Sequence, residues 1–540
     1  MKKDKVKKIK EKKNVDNKTK KKKEKKELTQ EEISRNRKRF VIFFMIWICI
    51  LAIGLVRKEL QNDTFYTIKI GELILDNGID MMDHFSFHEN MAYTYPHWLY
   101  DVFIYLVYKI GNFVGLYISS IVLFMIMLFL VFKTNKKITD NNCSVSAFAT
   151  FICALAVSGF ATARAQLASF LVFVLQIYFI ESFLKSGKKK YLGGLLLLSL
   201  ILCNIHVAVW PFFYILFLPY LGEYVISLIA SKIKLKKEYK FVRFLKNKFV
   251  LEKNDNIKYL FFTMIASLLT GLITPIGDTP YTYLIKTMMG NSQSYIQEHQ
   301  MLSWANSPFT IIIAGETLFL SIISKAKLRD FFMICGLVFM SVMATRHLSL
   351  LALIGTICFA RLFSMFLENF TFNFDNKLIH FFNKRIVAIS SFVIVCIASF
   401  LLFNYQNKQS FINDELYPIG AVKYIKENIN IDEMRIYNEY NYGSYLLLND
   451  IPVFIDSRAD LYTKQFSGFE YDVFDDYHYI NSNYPEKFDF YGITHVLLYK
   501  EDNVLYSTLK NNNNYTNLYE DEYFAFFERD GKDEFYITYN

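Results

Sequence analysis

Residues 96–112 read Pro-His-Trp-Leu-Tyr-Asp-Val-Phe-Ile-Tyr-Leu-Val-Tyr-Lys-Ile-Gly-Asn, and whether this segment crosses a bilayer decides the side of every later loop. Its apolar part, Trp98–Ile110, is short for a ~30 Å hydrocarbon core, which takes about 20 helical residues. Asp101 and Lys109 stand near its ends. Longer apolar runs recur at Phe40–Val56 and at about 113–132, 145–162, 166–184, 190–205, 208–230, 259–275, 308–324, 330–344, 348–365 and 385–404. If Trp98–Ile110 is an amphipathic helix lying flat at the interface, every basic loop falls on one side, as the positive-inside rule requires. Those loops carry Lys133, Lys136 and Lys137, then Lys185 and Lys188–Lys190, the ten Lys/Arg of 231–258, Lys325, Lys327 and Arg329, and finally Lys384 and Arg385. The expected fold is an α-helical polytopic membrane protein of about eleven transmembrane helices. Its first span is an uncleaved signal anchor, with the N-terminus cytoplasmic.

Composition agrees. The 540 residues are 53% hydrophobic and 21% charged, with nine Pro, so long regular elements dominate. The net charge of +10 conceals two opposite ends. Residues 1–39 carry 19 Lys/Arg against 7 Asp/Glu, whereas residues 405–540 carry 11 against 24. A basic head and an acidic tail suit opposite sides of a membrane. A Lys tract beside a span reads as a disordered topology anchor on anionic membrane lipid, so no nucleic-acid partner is expected. The chain divides into the head 1–39, a membrane part 40–404 with a long first outer loop at 57–112, and an extracytoplasmic α/β tail at 405–540. In the tail, Arg435–Asn438, Val453–Asp456, His495–Tyr499 and Phe524–Arg529 read as strands, and Gly420–Asn428 reads as a helix. None of the seven Cys falls in the first loop or the tail, which leaves no disulfide framework or Cys zinc site there.

This topology gathers unusual polar residues on the outer face. Unpaired charge beside hydrocarbon is costly, so such residues face a cavity or a partner. Asp63 follows the first span and can serve as a general base or a metal ligand, although an Asp there also caps helices. Asp83-His84 can hold a divalent cation or relay a proton, or merely stabilise its loop through Asx turns. Trp98 reads as an interfacial anchor, while His97 beside it is a candidate substrate contact. Arg164, Arg346 and His347 can clamp a phosphate, for which the Arg fork is suited; snorkelling is the plainer alternative. Asn204-Ile205-His206 marks another outer turn, and a further outer loop runs from Thr274 through His299 and Trp304 to Pro308. In the tail, Asp456-Ser457-Arg458-Ala459-Asp460 reads as a salt-bridged turn or an acceptor contact. No Walker or dinucleotide phosphate loop occurs.

The first-loop layout resembles polytopic glycosyltransferases of the GT-C class, such as protein O-mannosyltransferase and lipid A aminosugar transferase relatives. Those place an acid at the start of a long first outer loop with two interfacial helices. A closer resemblance is to a poorly characterised bacterial branch. It is carried by Asp63, Gly71-Glu72, Asp83-His84-Phe85-Ser86, His97-Trp98-Leu99, Ala163-Arg164, Asn204-Ile205-His206, Tyr442-Gly443-Ser444-Tyr445-Leu446 and Phe454-Ile455-Asp456-Ser457-Arg458. Asn438–Tyr445 faintly resembles the Trp-Trp-Asp-Tyr-Gly motif of oligosaccharyltransferases, with the tryptophans absent and Asn441 in the acid's place. The resemblance implies a bacterial plasma-membrane enzyme that moves a sugar from a polyprenyl-phosphate donor to an acceptor at the outer face. Asp63 or Asp83 would be the base. His84, His97, Arg164, His206, Arg346 and His347 would contact substrate, and Tyr442, Asp456 and Arg458 would serve the acceptor. A divalent cation is compatible with the acids. The rival readings are a transporter or flippase of a lipid-linked or anionic substrate, which would need internal repeats or broken spans, and a non-catalytic envelope assembly protein.

Overall fold

Apolar stretches too long for any strand become helices, and in the computed structural model seven are long and apolar enough to cross a membrane. They are Gln30–Leu55, Trp98–Ile138, Cys143–Phe160, Ala165–Ser186, Val207–Ser231, Thr345–Glu368 and Arg385–Gln406. Shorter apolar helices lie at Lys190–Ile205, Ile257–Leu272, Pro308–Ile323 and Leu328–Met343. Each of the eleven expected spans thus falls on helix. The structure describes residues 29–232, 247–251, 253–290, 295–296, 308–324, 326–368, 374–408 and 410–531. Most of the basic head, His299, Trp304, Lys325 and part of the loop 231–258 lie outside these residues.

The opening stretch is helical and continues into the next span through a break at Asn112, whose φ of 48° leaves the helical region. Before the break, Leu99, Phe103, Leu106 and Ile110 form an exposed apolar stripe at helical spacing, while Tyr100, Asp101 and Ile104 point inward. A second loop helix, Asn62–Asn77, packs against this segment. Gly71 permits the approach: a Cβ there would collide with the Asp101 carbonyl.

The tail carries a four-stranded sheet of order β1-β2-β4-β3, with β1 Ile436–Tyr437, β2 His495–Tyr499, β3 Tyr515–Glu520 and β4 Phe524–Arg529. β1 runs parallel to β2, and the other pairs are antiparallel. Val453–Asp456 is not a strand of this sheet. Val453 instead bridges to Ser86 of the first loop, donating to the Phe85 carbonyl at 3.2 Å and accepting from the Phe87 amide at 3.3 Å. The loop and the tail share one buried apolar cluster: Phe65 packs edge-on against Tyr417 and Tyr445, at 5.0 and 5.5 Å between ring centres.

At the other end of the bundle, Arg329 differs from its reading as a loop cation. It is buried near Glu181 and Glu223, at 3.5 and 3.4 Å. Arg361 bridges Glu181 at 2.6 Å and Asp330 at 2.8 Å. Such a network is costly in hydrocarbon unless its members satisfy one another, and it ties four helices together.

Candidate active site

Two cavities meet beneath the tail. One, of about 740 Å³, lies between the first loop, the tail and the turns of the bundle, with Tyr93, Tyr440, Asn441, Ser457 and Arg458 in its wall. The other, of about 590 Å³, runs between bundle helices past Phe170, Phe173, Phe212 and Met343, and has Arg346 and His347 at its margin. Asp63, Tyr66, His97, Arg164, His206 and Asp460 line both, so they mark the junction.

Local structure explains these positions. Asp63 is the second residue of its helix, where a carboxylate suits the helix dipole; the N-cap is Gln61, so capping does not account for Asp63. Arg164 is the residue before the helix Ala165–Ser186 and reaches across to Asp63, with Nη2 2.5 Å from Oδ2. Both side chains keep about a quarter of their surface open, 26% and 28%. His97 precedes the helix Trp98–Ile138, and its Nδ1 lies 2.6 Å from Asp101, one turn further on. Its Nε2 lies 3.0 Å from the Tyr66 hydroxyl. His206 sits in the break between Lys190–Ile205 and Val207–Val209, with Nδ1 2.8 Å from the Ser169 hydroxyl and its ring edge-on to His97 at 6.3 Å. His347 Nδ1–H donates to the Met340 carbonyl at 3.0 Å.

Several sequence expectations land elsewhere. Asp83 lines neither cavity. It is fully buried, 2.5 Å from Arg458, and accepts from the Ser86 amide and hydroxyl. Burial alone would raise its carboxyl, but Arg458 and Ser86 together hold it below the ordinary carboxylate range. With its oxygens so occupied, it has no route to a substrate proton. His84 is on the surface, paired with Asp80 at 2.6 Å, and lines neither cavity. Tyr442 is in the tail core, its hydroxyl donating to the Leu497 carbonyl at 2.5 Å. Asp456 is buried too and takes hydrogen bonds from Arg458 and from the Tyr462 hydroxyl at 2.6 Å. Arg458 alone of this trio reaches a cavity wall. Trp98 directs its indole at Asn204, donating to it at 2.9 Å, so these two form a part-buried joint between elements.

Other junction residues escaped the sequence reading. Tyr283, on the helix Thr279–Met289, donates to Asp460 at 2.7 Å and so ties the tail to the bundle. Tyr66 and Asp101 were not singled out, because one Tyr among 37 and one acid in an apolar run carry no periodic signal. Only the i, i+4 spacing of His97 and Asp101 on a helix could have exposed that pair. Among the described residues, no group of three or more His, Cys, Asp or Glu is close enough to share a metal ion. A cation at the junction would need further ligands from a phosphate.

No family model matches the chain, and neither does any curated protein. Among solved structures, the oligosaccharyltransferase of Archaeoglobus fulgidus matches over 85% of this chain and 69% of its own, at 10% identity. The TM-score is 0.54 for its apo form and 0.52 for the form tethered through a disulfide to an acceptor peptide containing the NVT sequon. At that identity the likeness is one of fold: a GT-C-like polytopic helical membrane protein with a soluble part.

Proposed function

We propose that the protein is a membrane glycosyltransferase, transferring a sugar from a polyprenyl-phosphate-linked donor to an acceptor at the outer face of a bacterial plasma membrane. The N-terminus would lie in the cytoplasm and the tail outside. The observation that carries this reading is the meeting, at one Asp–Arg pair, of a more polar cavity under the tail and a cavity between helices with an apolar wall of Phe170, Phe173, Phe212 and Met343. A lipid-linked sugar needs an apolar channel for its chain, cations for its phosphate and a polar chamber for the sugar and acceptor. The cavity between helices would take the lipid, with Arg346, His347 and Arg164 around the phosphate. The cavity under the tail would take the acceptor.

Arg164 is then shared. It pairs with Asp63, and a donor phosphate competes for the same fork and loosens the carboxylate. Asp63 then stabilises the positive charge that builds on the acceptor oxygen as it attacks the anomeric carbon, with inversion, and the lipid phosphate leaves toward the cations. Its reach into both cavities favours Asp63 over Asp83 for this role. The likeness in fold to an oligosaccharyltransferase is consistent with the reading. The test is reconstitution in proteoliposomes with a panel of polyprenyl-phosphate hexoses and pentoses, scoring glycosylated product. Wild type is expected to release lipid phosphate with product, and Asp63→Asn to lose ~10²–10³-fold, the range for removing a preorganised electrostatic group. Full turnover by Asp63→Asn would overturn the assignment, and flux of donor without covalent product would point to a transporter.

A further inference from the structure

Resting on that reading, we propose that Asp101, His97 and Tyr66 form a proton relay that opens into the acceptor cavity, so that the proton lost by the acceptor hydroxyl comes to rest on His97. The three groups lie in line: Asp101 is 2.6 Å from His97 Nδ1, and His97 Nε2 is 3.0 Å from the Tyr66 hydroxyl. Tyr66 faces both cavities and stands one helical turn beyond Asp63. Asp101 touches no cavity, is completely buried, and its second oxygen has no hydrogen-bond partner among the described residues. A buried carboxylate half-satisfied in this way is costly. The cost is offset when the neighbouring imidazole becomes a cation, which suits a site that receives a proton in each turnover.

The relay has a direction. An ionised Asp101 only accepts, so it takes the Nδ1–H of His97 and leaves Nε2 as the lone-pair side. Tyr66 then donates its O–H to Nε2 and presents its oxygen to the cavity. As the acceptor oxygen bonds to the anomeric carbon and the lipid phosphate departs with the old bond pair, the acceptor's proton passes to Tyr66 and the Tyr66 proton passes to His97. Burial, with Asp63 nearby, holds the Tyr66 phenol well above its usual range, which disfavours a free phenolate between the two transfers. Asp63, loosened from Arg164 by the donor phosphate, stabilises the acceptor oxygen by its charge while the proton leaves toward Tyr66. The imidazolium, flanked by Asp101, later gives its proton to water. This is the arrangement by which a buried carboxylate fixes an imidazole's tautomer and stabilises its cation in triad enzymes.

The groups facing His97 are Tyr66 and Asp63 from the loop helix, Asp101 from its own helix, Arg164 and His206 from the bundle turns, and Arg458 through its field at Asp101. Two measurements on the full chain test the relay. In the first, nitrogen-15 histidine spectra are recorded in nanodiscs, with His97→Gln assigning the resonance. The Nδ1–H tautomer is expected, with Asp101→Asn reversing it by presenting an amide N–H to Nδ1. A wild-type Nε2–H tautomer, or no response to Asp101→Asn, overturns the relay whatever the substrate. In the second, turnover of undecaprenyl-phosphate hexoses and pentoses is followed against pH. Tyr66→Phe, which keeps the ring, is expected to lower kcat ~10²–10⁴-fold with KM within a few-fold, and His97→Gln to lower kcat by a similar factor. Product formation in which Tyr66→Phe keeps the wild-type kcat and pH profile overturns the relay and leaves the glycosyltransferase reading intact. The expected tautomers with no donor consumed overturn the glycosyltransferase reading instead.

Discussion

Gly71 sets the spacing on which the junction depends. Its bare Cα lets the helix Asn62–Asn77 press onto the Asp101 carbonyl, and that approach brings Tyr66, five residues earlier, to His97. Gly71→Ala is expected to destabilise by about 1–3 kcal/mol, the range for overpacking, and to lower turnover further by separating Tyr66 from His97. Thermal unfolding in detergent alongside a turnover assay checks both. Asp83 makes the opposite point. Removing one partner of a buried pair costs ~3–5 kcal/mol, and since Arg458 keeps Asp456, Asp83→Asn should fall at the lower end. A double-mutant cycle with Arg458→Gln should give a coupling of about 0.5–3 kcal/mol, while the turnover of Asp83→Asn per folded molecule stays near wild type. That Asp63, Arg164, His97 and His206 would gather at one outer site was legible in the sequence, because each is a polar residue at the edge of an apolar run. That Asp83 would instead be closed off against Arg458 was not, because an ion pair between residues 375 apart leaves the same local pattern as an open site.

Elements were legible where their pattern is local. β2 and β4 have the bounds their apolar runs suggest, and Ile419–Asn428 begins one residue before the expected helix. β3, Tyr515–Glu520, escaped because an edge strand with Thr, Asn and Glu on its open positions lacks that apolar signal. Val453–Asp456 has a strand's sequence but finds its partner in the first loop, which only tertiary structure reveals. The join between β1 and β2 holds an acid of its own. Glu439, just past β1, accepts from the Tyr499 amide and from Asn503, each at 2.8 Å. Burial pushes its carboxyl up to about 7. The folded tail therefore holds this proton more tightly than the unfolded chain does. The resulting stabilisation is fully present below 4.5, the ordinary value for a glutamate, and is lost as pH rises through about 7. Its ceiling is about 3 kcal/mol, at ~1.4 kcal/mol per pH unit. Denaturant unfolding between pH 4.5 and 8 should show that decline superimposed on other titrations, and Glu439→Gln should flatten it; an unchanged slope would remove Glu439 as its source.

At the scale of the whole molecule, the first loop and the tail form one folded cap over the bundle, although 292 residues separate them in sequence. The cap leaves one apolar surface uncovered near the membrane: Leu99, Phe103, Leu106 and Ile110, with Ile110 89% exposed. Water would penalise that stripe by roughly 25 cal/mol per Å², so it belongs in lipid, and the break at Asn112 lets the helix change direction there. Two placements satisfy the hydrophobic effect equally: flat at the headgroup boundary, or crossing as a span of its own that turns back at Asn112. Only the flat placement keeps the later basic loops on the side of the basic head, and Asp63 and Arg164 on one face. Ile110→Trp in nanodiscs of lipid brominated at defined depths separates the two. Relative to wild type, the added fluorescence should be quenched most by bromine near the glycerol end of the acyl chain. Maximal quenching from the bilayer centre would mean that residues 98–110 cross; every later loop would change sides, and Arg164 could no longer share the outer face with Asp63.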